Sequence, residues 1–506
     1  MNPRWIYVAS AASFALLSLS GCAGSISGFG GAAAERTAEG GGADVARISI
    51  MANLHTPEVP SPLIETMLEE ATGVELTFQW TPDGSYEEKF NASMATGTMP
   101  DAVYLKNASM LTFLREPMQS GLFWEIGPYL EEFPNLDRLQ TEVLRNTAVE
   151  GKVYGLYQER PSSRQGVIFR KDWADRLGLQ APATIDELYT MLYQFTYNDP
   201  DGNGVDDTIG LTDRSDLVYG AFKTVLSYFG APNGWGEKDG RLAPEFMFPE
   251  YRETMNFFRK LHEEGLINRD FPVTAKADQQ DLLTMGKAGV YIGAMGDVIS
   301  LQTKAAQSNP NAVLDVHNRI AGPKGERVWA TPGFGTVVLF PKSAVRSEEE
   351  LRRVLGFFDE LMTPELANLL HWGVEGVHYT VENGKAVPSD DFDLKYKDVK
   401  PYQGIEIGGP STIEGFLESD FRMPVKGKAD RLTKDNDSML VLDPTAGLHS
   451  RTFDERGMRL QEIVRDATYH YILGMIDETG FEAEVQRWLR EGGERIIQEF
   501  NDSDGM

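Results

Sequence analysis

Residues 48–80 read ISIMANLHTPEVPSPLIETMLEEATGVELTFQW. Ile48 and Ile50 alternate with polar residues, which is the period of a strand with one buried face. Pro62 is typical of the first turn of a helix, and Gly73 is typical of the position just past a helix end. Apolar residues then alternate again, at Val74, Leu76, Phe78 and Trp80. The stretch therefore predicts a strand, a helix and a second strand.

The rest of the chain continues this alternation of helices and short strands. Capping boxes that pair Thr184 with Glu187 and Ser347 with Glu350 predict two helix starts. Apolar runs at 288–292 and 336–340 have the length of buried strands. A late apolar stripe is interrupted at Gly492, which predicts two short helices. We therefore expect an α/β protein with at least two lobes.

Composition limits the function classes. The 506 residues include 48 Lys+Arg and 76 Asp+Glu, a formal net charge of -28. A protein that binds nucleic acid normally carries the opposite balance, so nucleic acid is not expected as a partner. The hydrophobic fraction of 41% is ordinary for a soluble globular protein and argues against a disordered chain or a polytopic membrane protein.

The N-terminus carries the single cysteine, Cys22, after a short apolar run. The run has the length of a signal-peptide core, and residues 19–22 (LSGC) resemble the lipobox of bacterial lipoproteins. The resemblance implies a signal peptide at 1–21, a lipid such as palmitate on Cys22, and location at the extracytoplasmic face of the cell membrane. A Gly/Ala-rich tether follows to residue 44. The alternative is a secreted chain with an incidental free thiol.

An acidic loop is the strongest chemical motif. Residues 198–207 read NDPDGNGVDD, which places oxygen ligands at the spacing of the first half of an EF-hand. The predicted ligands are Asp199, Asp201, Asn203, the carbonyl of Val205, and Asp207. The bidentate Glu of a full EF-hand is missing, because Gly210 stands in its place. We expect a structural calcium ion, with a metal-free acidic turn as the alternative.

Catalytic motifs are absent from the sequence. There is no GxSxG elbow, no HExxH helix and no Walker A loop. A pair of carboxylates for glycoside hydrolysis cannot be identified by spacing among so many acidic residues. No catalytic residue is assigned, and an enzyme is not expected.

Four ordered stretches carry a resemblance to a known family. They are EGKVYGL at 150–156, FRKDWADRLGL at 169–179, GKAGVYIG at 286–293, and MTPE at 362–365 followed by WGVEGVHYT at 372–380. In this order they resemble the extracellular solute-binding proteins of ABC importers, in the LipO-like lipoprotein branch that serves oligosaccharide uptake. Alginate-binding relatives have a calcium loop here with a Glu after the last Asp, where this chain has Thr208.

The resemblance implies a two-lobed, type II periplasmic-binding-protein-like fold with lobes joined by crossing hinge segments. The body is expected at 45–506, with lobe 1 at about 45–160 and 295–345 and lobe 2 at about 161–294 and 346–506. It also implies a monomer that captures an oligosaccharide between the lobes, closes on it, and delivers it to membrane permease subunits.

Candidate ligand residues follow from position. In α/β lobes, ligands lie beyond the carboxyl ends of strands, where aromatic rings stack on sugars and polar groups bind hydroxyls. Trp173 lies instead on the apolar side of its helix and is predicted to be core. The candidates are Asn53, His55, Tyr104, Asn107, Tyr157, Arg160, Gly296, Asp297, Trp372 and Glu375.

Three functions remain open. The first is a lipid-anchored binding protein for oligosaccharide import. The second is a polysaccharide-degrading surface enzyme, and the third is a ligand-sensing surface lipoprotein with the same fold. The acidity of the chain favours a neutral oligosaccharide over a polyanionic one unless the cleft is locally basic.

Overall fold

The computed structural model describes residues 46–54, 56, 58–106, 110–389, 391–420 and 423–504. Val45–Met506 forms one compact unit. The predicted signal peptide, the lipidation site Cys22 and the predicted tether lie outside the described residues. No helix in the described part of the chain has both the length and the apolar character needed to cross a bilayer.

Strands and helices alternate along the body. The strands are β1 (Arg47–Leu54), β2 (Glu75–Pro82), β3 (Ala102–Tyr104), β4 (Gly155–Glu159), β5 (Gln165–Arg170), β6 (Ile209–Thr212), β7 (Trp235–Lys238), β8 (Arg241–Pro244), β9 (Ala288–Ala294), β10 (Leu314–His317), β11 (Ala321–Gly322), β12 (Gly325–Glu326), β13 (Val328–Trp329), β14 (Phe334–Leu339), β15 (Tyr379–Glu382), β16 (Lys385–Pro388) and β17 (Leu440–Val441). The helices are α1 (Leu63–Thr72), α2 (Tyr86–Thr96), α3 (Met110–Gln119), α4 (Thr141–Thr147), α5 (Lys171–Leu177), α6 (Ile185–Tyr197), α7 (Ala221–Phe229), α8 (Pro249–Glu263), α9 (Lys276–Thr284), α10 (Val298–Ser308), α11 (Glu348–Leu361), α12 (Pro364–Trp372), α13 (Phe392–Asp398), α14 (Pro424–Asp435), α15 (Arg451–Ile472), α16 (Glu478–Trp488) and α17 (Glu494–Asp504).

The sheet of lobe 1 has the strand order β2-β1-β3-β14-β4. β1 is parallel to β2 and β3, whereas β14 is antiparallel to β3 and β4. A strand from late in the chain thus inserts between two early strands, which makes lobe 1 discontinuous in sequence. Its core includes Ile50 and Leu156 from the sheet and Leu355 from α11, all fully buried.

The sheet of lobe 2 has the order β10-β5-β9-β6. β5 is antiparallel to β9 and β10, and β6 is parallel to β9. Trp173 of α5 is buried beneath this sheet and meets Phe195 of α6 edge to face, with ring centroids 5.5 Å apart. The α/β, two-lobed architecture predicted from the sequence is confirmed, and Trp173 is a core residue as predicted.

The lobe boundaries differ from those expected. β10, placed in lobe 1 by the sequence estimate (295–345), pairs with β5 of lobe 2. α11 and α12, placed in lobe 2 (346–506), bury their apolar faces in the lobe 1 core. The physical reason is that β14 returns the chain to lobe 1, and the helices that follow it cover that sheet.

Two segments in the described part of the chain join the lobes. We define crossing segment 1 as residues 160–164 and crossing segment 2 as residues 330–333. Backbone bonds hold them together: the Arg160 N–H donates to the Gly333 carbonyl at 2.9 Å, and the Thr331 N–H donates to the Ser162 carbonyl at 2.6 Å. The segments therefore lie side by side between the two sheets.

Two buried asparagines tie these segments to lobe 2. Nδ2 of Asn436, a fully buried side chain, donates to the carbonyls of Ser163 (3.1 Å) and Gln165 (2.9 Å). Nδ2 of Asn233 donates to the Ala330 carbonyl at 2.8 Å and to a carbonyl of β17 at 2.9 Å. Both carboxamides therefore satisfy main-chain groups that the crossing segments leave outside regular sheets.

The C-terminal helices α15, α16 and α17 pack against lobe 2. α16 and α17 are separated by a bend at Leu489–Gly493, where Gly492 has a φ of 142° that L side chains rarely adopt. The interruption predicted at Gly492 is confirmed. This part of the core contains Trp235, Leu460, Trp488, Ile496 and Phe500.

Candidate functional site

A large cleft lies between the two lobes, with a volume of about 1480 Å³. Lobe 1 contributes Leu111, Gln140 and Val143 to its lining. Crossing segments 1 and 2 form the floor, and lobe 2 with the C-terminal helices forms the opposite wall. The cleft is thus enclosed by groups from both lobes and by the segments that connect them.

The floor is polar. Arg160 and Glu159, at the end of β4, both line it. Glu159 Oε2 accepts hydrogen bonds from the Ser411 hydroxyl at 2.7 Å and its N–H at 3.2 Å. Burial raises the pKa of Glu159, the bonds from Ser411 oppose this, and nearby Asp437 adds to it.

One part of the lobe 2 wall is a loop that follows β6. Ser215, Asp216, Leu217 and Val218 line the cleft. Just before them, Asp213 is buried, and its Oδ1 accepts the Ala221 N–H at the start of α7 at 2.9 Å. Burial raises the pKa of Asp213 to about 7, although bonds from backbone N–H groups oppose the shift. The loop is therefore anchored by a carboxyl whose charge is sensitive to pH near neutrality.

A second part of the wall combines an ion pair with aromatic rings. Lys223 of α7 pairs with Glu245, whose Oε2 also accepts the Gly234 N–H at 2.7 Å. Asp443 lines the cleft beside Gly234. The aromatic residues that line this wall are Phe222, Trp235, Phe246, Tyr251, Phe453, Trp488 and Phe500. Polar groups among aromatic rings are typical of sites that bind ligands with both apolar faces and hydroxyl groups.

Arg160 is the one predicted ligand residue that lines the cleft in the described part of the chain. Tyr157, three residues earlier, is fully buried, and its hydroxyl accepts the Gln140 N–H at 2.8 Å. Because Gln140 itself lines the cleft, Tyr157 supports the lining from behind. The prediction that Tyr157 contacts the solute is corrected, since its ring is covered.

Two other aromatic candidates are core residues. Tyr104 is buried in the lobe 1 core, and its hydroxyl donates to the Ile405 carbonyl at 2.6 Å. Trp372 is buried at the end of α12, and its Nε1 donates to the Leu417 carbonyl at 3.0 Å. Both rings have their polar atoms satisfied by protein, so the prediction that they contact solute is corrected.

The remaining candidates lie apart from the cleft lining or outside the described residues. Asn53, at the end of β1, is buried and donates from Nδ2 to Asp83 at 2.8 Å. Asp297, next to Gly296, accepts from the Tyr291 hydroxyl at 2.7 Å and pairs with Lys276. Glu375 is exposed on lobe 1, away from the lining. The candidates His55 and Asn107 lie outside the described residues.

The sequence reasoning missed most of the wall. It assigned no role to residues 215–218, to the run 442–448, or to the part of α15 that lines the cleft. These positions carry small, apolar and acidic residues without a motif, and they reach the cleft only through tertiary packing. The aromatic residues of β7 and α8 were the one available signal, but each also fits a core position.

A family model described as bacterial extracellular solute-binding protein matches residues 55–365. The chain belongs to this family. Two Bacillus subtilis relatives of the family span nearly the whole chain. The "Polygalacturonan/rhamnogalacturonan-binding protein YtcQ" is 41% identical over 463 residues, which are 90% of this chain and 91% of that one. "Lipoprotein LipO" is 35% identical over 465 residues, with the same shares covered.

Solved structures of solute-binding proteins share the fold. A human milk oligosaccharide (HMO)-binding solute-binding protein from Bifidobacterium longum infantis superposes with a TM-score of 0.72 at 18% identity, covering 91% of this chain and 99% of that one. The alginate-binding protein AlgQ2, solved without calcium ion, gives a TM-score of 0.65 at 19% identity and covers 91% and 98%. At these identities the likeness concerns the fold alone. The two-lobed fold of this solute-binding protein is thus that of its family.

The predicted calcium loop has the donor chemistry of a calcium site but a different arrangement. Nδ2 of Asn203 donates to Asp201 Oδ2 at 3.0 Å and to Asp207 Oδ1 at 3.1 Å, and its N–H donates to Asp199 Oδ1 at 2.9 Å. Asp207 also pairs with Lys287 at 2.7 Å, which lowers its pKa. Among the described residues, no three His, Cys, Asp or Glu side chains are grouped to hold a metal ion. Amide and ammonium donors here take the oxygens that a cation would bind, and the Val205 carbonyl accepts the Asp207 N–H at 3.0 Å.

Proposed function

We propose that this solute-binding protein is the lipid-anchored, extracytoplasmic receptor of an ABC importer, and that it binds an oligosaccharide in the cleft and delivers it to the permease. The cleft carries the proposal. It is larger than the 300–1,000 Å³ that is typical of small-molecule pockets, and it combines aromatic rings with charged and polar groups. A sugar chain offers apolar ring faces and hydroxyl groups, which match these two kinds of wall.

The names of relatives support a saccharide as the solute. One relative is called polygalacturonan/rhamnogalacturonan-binding. A Streptococcus pneumoniae relative, 27% identical over 304 residues that are 55% of this chain and 54% of its own, is called a fructooligosaccharide ABC transporter substrate-binding protein. The first name denotes an acidic polymer and the second a neutral one, so the relatives agree on sugar and differ on charge.

Closure of the lobes on the solute explains how binding is reported to a permease. Arg160 and the floor move with the crossing segments, whereas the wall belongs to lobe 2. A solute that contacts both favours the closed arrangement by its differential affinity. The receptor carries out no chemical step on the sugar in this proposal.

Binding is tested with the compact unit that starts at residue 45, by thermal unfolding with neutral xylo-oligosaccharides and acidic oligogalacturonates. A solute in hundredfold excess over its Kd stabilises the native state by roughly 2.7 kcal/mol, which raises the melting temperature. The sugar is then recovered and analysed by chromatography. A stabilising sugar recovered unchanged supports a receptor, whereas shortened or unsaturated products would identify an enzyme.

The lipid anchor is tested at Cys22 in the full chain. We propose that residues 1–21 are removed, that Cys22 carries acyl chains, and that residues 22–44 form the tether. Wild type should fractionate with membranes, and Cys22→Ser should appear in the soluble extracytoplasmic fraction. Membrane fractionation of the variant equal to that of wild type would contradict the proposal.

We also propose that calcium binds the loop formed by Asp199, Asp201, Asn203, Val205 and Asp207. When bound, the ion would supply rigidity to the loop, because all its ligands come from one short segment. The side chain of Asn203 would have to rotate its oxygen inward, replacing the amide donor that now faces Asp201 and Asp207. Isothermal titration with calcium, with magnesium as the control, tests this.

A further inference from the structure

Arg160 lines the floor of the cleft, and Arg164 and Lys400 lie near enough to interact with it electrostatically. Arg160 and Arg164 both belong to crossing segment 1 and are exposed. Within the described residues, neither guanidinium makes a hydrogen bond or ion pair. Lys400, from lobe 1, donates only to the amide oxygen of Gln403, at 3.1 Å. In a chain with 76 acidic and 48 basic residues, such a group of unpaired cations needs an explanation.

The position of Arg160 is fixed by its backbone and by a glycine. Its N–H donates to the Gly333 carbonyl at 2.9 Å, which joins crossing segments 1 and 2. Its side chain lies over Gly335, where a Cβ atom would come within 2.7 Å of the Arg160 Nε and 2.9 Å of the Gln158 Oε1. The guanidinium therefore uses space that only glycine leaves open, and it lines the cleft.

Electrostatics indicate that the cations repel one another. Desolvation lowers the pKa of Arg160, and Arg164 adds to the effect while Glu406 opposes it. Desolvation lowers the pKa of Lys400 as well, and Arg160 contributes to that shift. Arg160 is therefore close enough to Arg164 and Lys400 to interact with both. A negative charge bound between these cations would reduce their mutual repulsion.

Two carboxylates near Arg160, those of Glu406 and Glu159, are hydrogen-bonded to other groups. Glu406 Oε1 lies 2.8 Å from Nδ1 of His371, and Glu406 Oε2 accepts a hydrogen bond from Gln158 Nε2 at 3.0 Å. Glu159, also on the floor, is bound to Ser411. Neither acid forms a hydrogen bond with Arg160, so the guanidinium keeps all its side-chain donors for a solute.

We propose that Arg160, supported by Arg164 and Lys400, binds a carboxylate of the solute at the hinge, so that this receptor selects uronate-bearing oligosaccharides over neutral ones. This inference rests on the proposed function and names the solute class of the same cleft. An arginine binds a carboxylate through two parallel N–H donors, a geometry that a hydroxyl group cannot match.

The test compares trigalacturonate, its methyl ester and neutral xylotriose by isothermal titration calorimetry. Wild type should bind the free acid at least about tenfold more tightly than the ester. Arg160→Gln should weaken binding of the acid by roughly 10- to 100-fold, the range expected for a hydrogen-bonded charge pair, and change binding of the ester less than about threefold. Gly335→Ala should also weaken binding of the acid more than binding of the ester, because the added methyl group displaces the Arg160 side chain.

The matched control is Arg352→Gln. Arg352 lies on α11, outside the cleft lining, and its guanidinium is paired with Glu132 at 2.7 Å. This variant should keep the preference of wild type for the acid. Circular dichroism melts establish that each variant is folded before its affinity is measured.

Several outcomes would overturn the inference. If wild type bound xylotriose tightly and did not bind trigalacturonate, the inference would be wrong while the proposed function would still hold. An equal loss of acid and ester in Arg160→Gln would show a structural role for Arg160. Tighter binding of a sulfated trisaccharide than of trigalacturonate would reject the carboxylate as the recognised group. If no saccharide bound to wild type, both the inference and the proposed function would fail.

Discussion

The buried carboxyl of Asp213 makes stability depend on pH in a direction that can be tested. Its folded-state pKa is raised to about 7 from the ordinary value of 3.8, mainly by burial. Between these two values the unfolded chain has lost the proton and the native protein still holds it. The native state then binds more protons than the unfolded state, so the free energy of unfolding falls as pH rises through this window.

The magnitude follows from the width of the window. Each pKa unit corresponds to about 1.4 kcal/mol, so a shift of about three units removes roughly 4 kcal/mol of stability between pH 4 and pH 7. Above pH 7 both states are charged and the contribution levels off. Asp213→Asn keeps an oxygen that accepts the Ala221 N–H and removes the ionisation.

The assay is urea unfolding of wild type and Asp213→Asn at several pH values from 5 to 9. The difference between the two proteins cancels the other titrating groups. We expect the stability of wild type relative to the variant to fall by about 1.4 kcal/mol per pH unit up to pH 7 and then to stay constant. A difference that does not change from pH 5 to pH 9 would refute the assignment of a raised pKa to this carboxyl.

Three further predictions test the hinge, the core and the loop. Asn436→Ala should lower the free energy of unfolding by about 2–4 kcal/mol, because two buried carbonyls lose their donors, whereas Asn91→Ala on the exposed face of α2 should change it by less than about 0.5 kcal/mol in the same urea experiment. Tyr104→Phe should lower the free energy of unfolding by about 1 kcal/mol and leave saccharide affinity unchanged in calorimetry. A large loss of affinity would show that Tyr104 is a ligand residue after all. Asp201→Ala should abolish the effect of a calcium chelator on the melting temperature while keeping saccharide affinity, and a variant that loses affinity at unchanged stability would contradict a structural role for the metal.

Local sequence signals predicted the local structure well. The stretch that begins at Ile48 forms β1, α1 and β2, and α1 ends at Gly73 in the left-handed conformation. The side chain of Thr184 accepts the Glu187 N–H, and that of Ser347 accepts the Glu350 N–H, which is the N-cap half of each predicted capping box. These features depend on neighbours within a few residues, and the residue types themselves specify them.

The sequence was less informative about which face of an element meets solvent. Tyr104 and Trp372 follow apolar runs, where the sequence permits either a cleft position or a core position. The outcome depends on tertiary packing: the Ile405 carbonyl accepts the Tyr104 hydroxyl, and the Leu417 carbonyl accepts the Trp372 Nε1–H. Tertiary packing likewise places α11 and α12 on lobe 1. The sequence of a helix shows which of its faces is apolar, but it does not show which sheet that face covers.

The hinge could be predicted from the sequence even less than the buried rings, for a physical reason. Crossing segments 1 and 2 are joined through main-chain groups of Arg160, Ser162, Thr331 and Gly333, so these hydrogen bonds leave no side-chain motif. The family match ends at residue 365 and contains both segments, whereas the wall run 442–448 and the cleft-lining part of α15 follow it. Main-chain hydrogen bonds between the crossing segments do not by themselves distinguish one sugar from another. Selectivity must then arise where side chains reach the solute, namely at Arg160 on the floor and along the wall contributed by the C-terminal part of the chain.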